Sequence, residues 1–465
     1  MNLTWKERPL RELIRLAWPI AVSTVSYSVM TVVDTLLVGR IGRAELAGVG
    51  LGGITAFVLL CFSFGLLQGA KVLVSQAIGA NRPDRAEAYK AAAVAIALAV
   101  GVATIFVGQL VALLLTHLTA TEAAGNAART YLAVRILGAP FALLYVAQRE
   151  VSYARGDAQS PMRATVTAQI VNIGFALLFI FVLRQGVRGA AAATVIAHAV
   201  EAGLLSLAGR SRGFGLRALR RSDLAALLRV GLPTGLQMLL EVGSFAMLSL
   251  MISVFSEVDM AAHQIALQVI HFSFLPAFAV AEASSVLSGQ AVGAGAFALV
   301  TRVARLGLAM TCAYTGAWTI ALAFGAPVLV SGFTHDAEVI ATAVSLLRIA
   351  AVFQLFDGAN MVARSTLRGA GDVRYAAVVG VVTAWVCTPT LAWLLGHRMR
   401  LGAFGGWLGL CLEIIVGSAI LWWRLETRGW LAAARLAQGA EDTRGHAPAV
   451  VAFSANEPAE ARKSA

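Results

Sequence analysis

Apolar residues run along this chain in twelve long blocks, broken by short stretches rich in Arg, Asp, Pro and Gly. A helix that crosses a bilayer needs about 20 mostly apolar residues at 1.5 Å rise each. By that ruler spans are predicted near residues 13–38, 46–74, 89–115, 127–153, 161–183, 189–209, 225–255, 260–292, 301–330, 338–368, 374–396 and 402–424. Several exceed the minimum, which implies tilt or extension beyond the bilayer. The predicted fold class is an all-α integral membrane protein with twelve transmembrane helices.

The blocks repeat. At an offset of 214, Leu13, Ile14 and Arg15 face Leu227, Leu228 and Arg229, and Pro19 faces Pro233. Further on, Gln76-Ala77 meets Gln290-Ala291 and Gly79-Ala80 meets Gly293-Ala294. At an offset of 213, Arg135 meets Arg348, Ser152 meets Ser365, and Arg155-Gly156 meets Arg368-Gly369. Each half then holds six helices in one orientation, a parallel repeat about an axis along the membrane normal. Two like bundles with a cleft between them are what alternating access requires. The expected organisation is an N-terminal six-helix lobe over 1–209, a basic cytoplasmic linker over 210–224 and a C-terminal six-helix lobe over 225–430. The tail, 431–465, is rich in Ala, Glu and Arg and is expected to be disordered.

Composition agrees with a membrane solvent: 58% of residues are hydrophobic and 13% charged, about half the charge of a soluble domain. The formal +12 charge does not indicate nucleic acid, because the basic residues form no single face or tail. They cluster between the apolar blocks instead. Twelve spans place 27 Lys and Arg on the side of the termini and 7 on the other, which predicts cytoplasmic termini and an inner-membrane location. Met1 to Leu16 carries no A-x-A-like cleavage site before the first span, so no removable signal peptide is read there. The four cysteines and the scattered His198, His263 and His271 have no ligand spacing, and no metal site or cofactor is expected beyond a coupling ion.

Ionisable groups inside spans cost at least about 2.5–3.5 kcal/mol, so each needs a reason to be there. Glu241 lies 12 residues after Arg229, about 18 Å from the cytoplasmic edge at helical rise. Asp357 lies 11 residues before Arg368, about 16 Å from the same edge. Two carboxylates at matched depth could share a cation or a proton, because burial favours the acid form while a bound cation favours the anion. Asp34 stands 19 residues past Arg15, about 28 Å up, either as a functional acid or as a helix-end acid reaching water near Arg40. Asn172 and Thr194 are candidate polar partners for Asp34, and either alone could be ordinary interhelical contact. Gln68 and Glu282, paired by the repeat, are candidates to line a polar cavity, and Phe353 is a further candidate to line the cleft. Glu201 and Glu413, nearer the predicted span ends, are expected to be structural. The halves repeat in scaffold but not in charge: Glu241 aligns with Tyr27, Asp357 with Leu144, and Asp34 with Leu248.

Ordered stretches of the chain carry a resemblance. They are Leu16-Ala17-Trp18-Pro19, Val33-Asp34-Thr35 and Val38-Gly39; then Gly231-Leu232-Pro233 with Glu241, and Ala261-Ala262-His263-Gln264-Ile265. Gln354-Leu355-Phe356-Asp357 and Leu367-Arg368-Gly369-Ala370-Gly371-Asp372 follow. Together they resemble the multidrug and toxic compound extrusion family, in particular its NorM-type branch, over roughly residues 10–425. The resemblance implies two pseudo-symmetric six-helix bundles forming a V-shaped cleft. It implies antiport of cationic or amphipathic small molecules against Na⁺ or H⁺, with the family's acids of the first, seventh and tenth helices falling on Asp34, Glu241 and Asp357. The chain departs from the pattern at Phe353, where the family often has a tyrosine, and at Ala176, where a second polar residue often follows Asn172. Both departures leave the coupling ion open.

Other readings fare worse on the residues. No Gly-Lys dipeptide exists for a P-loop and no His-Glu dipeptide for a zinc protease helix. Gly209-Arg210-Ser211-Arg212-Gly213 fits a nucleophile elbow formally but lies in a basic loop. A flippase for lipid or polysaccharide is the nearer alternative to drug export. It would call for a basic cleft, whereas the in-span charge here is mostly acidic and favours cationic cargo. The expected partners are small cationic or amphipathic substrates and the lipid bilayer, with no nucleic acid, and the monomer is expected to function alone.

Overall fold

The computed structural model describes residues 3–117, 119, 121–208 and 219–445. Twelve helices long and apolar enough to cross a membrane follow one another: α1 Pro9–Gly39, α2 Arg43–Gly79, α3 Pro83–His117, α4 Glu122–Ala154, α5 Gln159–Val182, α6 Gly186–Ala208, α7 Arg221–Ser253, α8 Glu257–Gly293, α9 Phe297–Ser331, α10 Ala337–Gly369, α11 Val373–Arg398 and α12 Gly402–Glu426. The predicted order and number of spans hold, with most helices longer than the apolar block alone. The surface shows why water is the wrong solvent: Phe106, Phe324 and Val328 stand exposed, while Lys71, Glu150 and Glu201 are buried.

Helix starts follow local chemistry. Pro9 and Pro83 occupy first-turn positions, where a missing N–H costs nothing. Ser256 Oγ accepts from Asp259 N at 2.9 Å, and Asp336 Oδ1 accepts from Glu338 N at 2.9 Å, which caps α8 and α10. Pro19 and Pro233 lie within α1 and α7, and both helices continue through them.

In the first half α1 packs on α5, α5 on α6, α6 on α4 and α4 on α2, with α3 against α2 and α4. The second half repeats this ring as α7, α11, α12, α10 and α8, with α9 against α8 and α10. Backbone details repeat as well. Asn81 and Gly295 take left-handed conformations (φ 58° and 71°) after α2 and α8. Gly156 and Gly371 do so (φ 82° and 95°), each as the second residue after its helix, α4 and α10. A π-helical turn ends both α5 and α11, followed by left-handed Arg184 and Gly186 in one half and Arg400 and Gly402 in the other.

Two boundaries differ from expectation. Residues 221–224 of the predicted linker belong to α7, whose Asp223 is buried and pairs with Arg85 at 3.0 Å. The expected disordered tail begins instead as a thirteenth helix, α13 (Leu431–Gly445), anchored behind the buried Trp430 and with Ala437 and Gln438 close to Gly371 and Gly295. Apolar Leu431, Ala434 and Ala437 give that segment a face to bury, which composition alone obscured. The rest of the linker, including the Gly209–Gly213 motif, and the tail from 446 lie outside the described residues.

The lobes meet through the motif that revealed the repeat. Gly79 packs on the Gln290 carbonyl and Gly293 on the Gln76 carbonyl, leaving no room for a Cβ at either glycine. Gln76 Nε2 donates to the Gly369 carbonyl at 3.0 Å, while Gln290 Nε2 donates to that of Ala154 at 2.9 Å. Each contact has its mate across a pseudo-twofold axis. About four helical turns further in along α2, a Cβ at Gly65 would lie 2.7 Å from Gly235 Cα, so α2 and α7 touch backbone to backbone. Among the described residues no inter-lobe hydrogen bond lies beyond Ser28 and His271, 3.2 Å apart. The cleft is therefore closed at the end holding Gly79 and Gly293 and is not bridged at the other.

Candidate functional site

The second lobe gathers its charges inside the ring. Glu241 of α7 accepts through Oε1 from Arg364 Nη1 at 2.6 Å and from Gln237 Nε2 at 2.8 Å. The close approach of α11 requires Gly380, where a Cβ would meet the Glu241 carboxylate at 2.8 Å. Asp357 of α10 has Arg364, Glu413 and Glu241 as its charged neighbours. Glu413 is buried, and its Oε2 accepts from Thr388 Oγ1 at 2.9 Å. Arg368 completes the group: it donates to Gln237 Oε1 at 2.7 Å and, across the cleft, to Gln68 Oε1 at 3.2 Å.

Three carboxylates thus face two guanidiniums. The cluster is one positive charge short, and the shortfall lies in a site where an unbalanced charge is costly.

The predicted pair Glu241 and Asp357 does come together, and Gln68 lies at the cleft floor. The structure corrects three expectations. Glu413 is not near a span end; it sits 11 residues into the 25-residue α12, facing the acids. Glu282 does not line an open cavity, because it is buried in the closed lobe contact against Lys71. Phe353, 5% exposed, belongs to the packed core of α10 rather than to the cleft surface. Arg364, one of the 27 cations assigned to the side of the termini, was the residue missed. It follows Asp357 by seven residues, two helical turns, which puts both on one face.

Lys71 holds a second, balanced cluster. It pairs with Glu282 of the other lobe and with Glu150 at 3.2 Å, and Arg149 pairs with Glu150 at 2.8 Å. Two cations meet two anions, all but Arg149 nearly inaccessible.

In the first lobe Asn172 Nδ2 donates to Asp34 Oδ2 at 3.4 Å, as the sequence suggested, and the buried Asn172 Oδ1 has no partner. Arg135 is the charged neighbour of Asp34. Thr194 does not join them, since its hydroxyl donates to the Ala190 carbonyl of its own helix at 3.1 Å. Tyr27, the repeat mate of Glu241, donates instead to Glu201 at 2.6 Å, and Thr165 donates to the same carboxylate at 2.7 Å. Among the described residues no group of His, Cys, Asp and Glu is arranged to hold a metal ion. His263 is occupied by Trp407 and Ser249.

The MatE family model matches this chain twice, over residues 19–178 and 233–394. The chain belongs to the MatE family. The two matches begin at Pro19 and Pro233 and end at Leu178 and Leu394, so the family unit is the lobe. A protein of Pseudomonas putida named as a probable multidrug resistance protein NorM is 30% identical over 437 residues, 90% of this chain and 94% of that one. A namesake from Pseudomonas syringae pv. tomato is 29% identical over 438 residues, 89% of this chain and 94% of its own length. Among solved structures, a MOP superfamily transporter from Pyrococcus furiosus superposes with a TM-score of 0.86 at 22% identity, covering 92% of this chain and 97% of that one. A multidrug resistance MATE family transporter in an outward-facing conformation gives 0.85 at 22% identity over the same shares. The MatE resemblance seen in the sequence is thereby borne out, and the chain is a multi-pass membrane protein of a transporter family, not an enzyme.

Proposed function

We propose that this MatE protein is an antiporter that exports small cationic or amphipathic compounds in exchange for Na⁺ or H⁺. The observation that carries this reading is the charge shortfall: Glu241, Asp357 and Glu413 against Arg364 and Arg368. One monovalent cation or one proton neutralises the group, and a cationic substrate competes for the same charge. The relatives named as multidrug resistance proteins support cargo of that kind. A flippase for anionic head groups would need the opposite balance in its cleft.

The 27 to 7 asymmetry of Lys and Arg supports cytoplasmic termini in the inner membrane. The closed end of the cleft then faces the cytoplasm, and the arrangement is outward-open. Coupling requires the ion to prefer one state. The contacts supply a route: neutralising the acids loosens Arg364 from Glu241, Glu241 shares Gln237 with Arg368, and Arg368 reaches the other lobe at Gln68. Asp34 with Asn172 is a second, N-lobe site in the same scheme, and the monomer contains every part.

The test is dye efflux from proteoliposomes under an imposed sodium gradient and then an imposed pH gradient. Glu241→Gln, Asp357→Asn and Glu413→Gln should each abolish ion-driven efflux while the protein remains folded and inserted. Unchanged efflux in all three would sink the assignment.

A further inference from the structure

One in-span cation has no partner. Arg348 of α10 is exposed and makes no hydrogen bond or ion pair with any described residue. Its repeat mate Arg135 has Asp34 as a charged neighbour and lies over the Tyr131 ring at 5.9 Å. Arg348 also points away from the ion site: it precedes Asp357 by nine residues, which at 100° each is half a turn off. It borders a groove of about 400 Å³ between α10 and α12, formed by Ser345, Ile349, Val352, Phe404, Leu408 and Cys411. The neighbouring outward positions Val352, Phe404, Leu412 and Val416 are exposed apolar residues, as on a lipid-facing wall.

The depth of the groove follows independently from both helices. The 33-residue α10 is about 50 Å long. If its excess over a hydrocarbon core of about 30 Å is shared between its ends, the Arg348 Cα lies about 6 Å inside the apolar boundary. The 25-residue α12 is about 37 Å long and puts Leu408 at about the same depth. From there an extended arginine snorkels to the level of lipid phosphates.

An exposed guanidinium at that depth, left without an anion by the protein, is paired by the bilayer. We propose that the α10–α12 groove binds an anionic phospholipid of the leaflet at the unbridged end of the cleft. Arg348 donates to the phosphodiester in the planar, forked geometry that guanidinium offers to phosphate. Val352 and Leu408 carry the upper part of an acyl chain, Phe404 stands at the boundary with the headgroups, and Ser345, one turn from Arg348, adds a hydroxyl at the headgroup side. The N-lobe offers no equivalent exposed cation, because Arg135 is half-buried with Asp34 as its charged neighbour.

Native mass spectrometry of the full chain, released from detergent containing phosphatidylglycerol or phosphatidylcholine, tests this. The expected result is one retained phosphatidylglycerol, preferred over phosphatidylcholine. Its abundance should fall at least about tenfold in Arg348→Gln, the loss of one charge-assisted contact, and partly recover in Arg348→Lys. Leu408→Trp should fill the groove and displace the lipid with Arg348 still present, and it decides the matter if Arg348→Gln does not stay monodisperse. Equal retention of the two lipids by the unaltered protein, or undiminished phosphatidylglycerol in these variants, overturns the proposal.

Discussion

Arg364 donates its Nη1 to Glu241 Oε1 at 2.6 Å, so the acid of α7 is held by a cation of α10 rather than left for an ion alone. Arg364→Gln should therefore strengthen cation binding while weakening its release. At an effective dielectric of about 20, a unit charge about 6 Å away is worth about 2.8 kcal/mol. Removing it should shift the half-saturating Na⁺ or H⁺ concentration downward by about ten- to a hundredfold, with a lower maximal rate. Ion-concentration series of efflux in proteoliposomes measure both. A shift toward weaker binding would mean that Arg364 positions Glu241 rather than competing with the ion.

Gly79 and Gly293 make the same contact on opposite sides of the pseudo-twofold axis. Gly79→Leu and Gly293→Leu should each prevent the lobes from closing at this end, through overpacking that typically costs about 1–3 kcal/mol. Either clash separates the lobes, so the double variant should cost no more than the worse single one. Thermal unfolding in detergent, together with distances between spin labels placed on the two lobes, would read this. Full additivity would show that the two glycines act only within their own lobes.

The scaffold was legible because apolar blocks, turn residues and the twofold repeat are local patterns that a bilayer enforces strongly. The ion site was legible only in part. Glu241 and Asp357 stood out because a carboxylate in an apolar block is conspicuous at any register. Arg364 did not, because an arginine five residues before the end of its helix looks the same whether it faces water or a carboxylate of another helix. Glu413 and Glu282 depended on rotation about the helix axis. All-round apolar helices give little periodicity to fix that rotation, so Glu282 was assigned to a cavity when it faces Lys71. The tail helix was missed because its short apolar face is diluted by charge.

Lys71 joins the lobes through Glu282 while holding Glu150 within its own lobe. Lys71→Met leaves two buried carboxylates with only Arg149 between them, and breaking such a pair costs about 3–5 kcal/mol. That cost falls on the closed arrangement, which alone brings Glu282 into the cluster. The variant should favour separation of the lobes at this end, seen as faster thiol labelling of a cysteine placed at Ser285 in a background lacking the native cysteines. Lys71→Met combined with Glu282→Leu restores the balance between Arg149 and Glu150 and should recover closure. If the single variant labels no faster than its parent, the pair does not hold the contact.

Asp34 presents the sharpest choice between structure and function, because Arg135 is a charged neighbour that could serve as its counter-charge. Asp34→Asn alone strands the arginine, so lost efflux in that variant could come from instability. Asp34→Asn with Arg135→Gln removes both charges and should recover the thermal stability lost by the single variant, within about 1 kcal/mol of the unaltered protein. If Asp34 carries an ion, this stable double variant still loses most ion-driven efflux, and Asn172→Ala, which removes the amide oxygen left without a partner, weakens the apparent ion affinity in the same direction. If efflux returns with stability, Asp34 is a structural counter-charge and the ion is read in the C-terminal lobe alone.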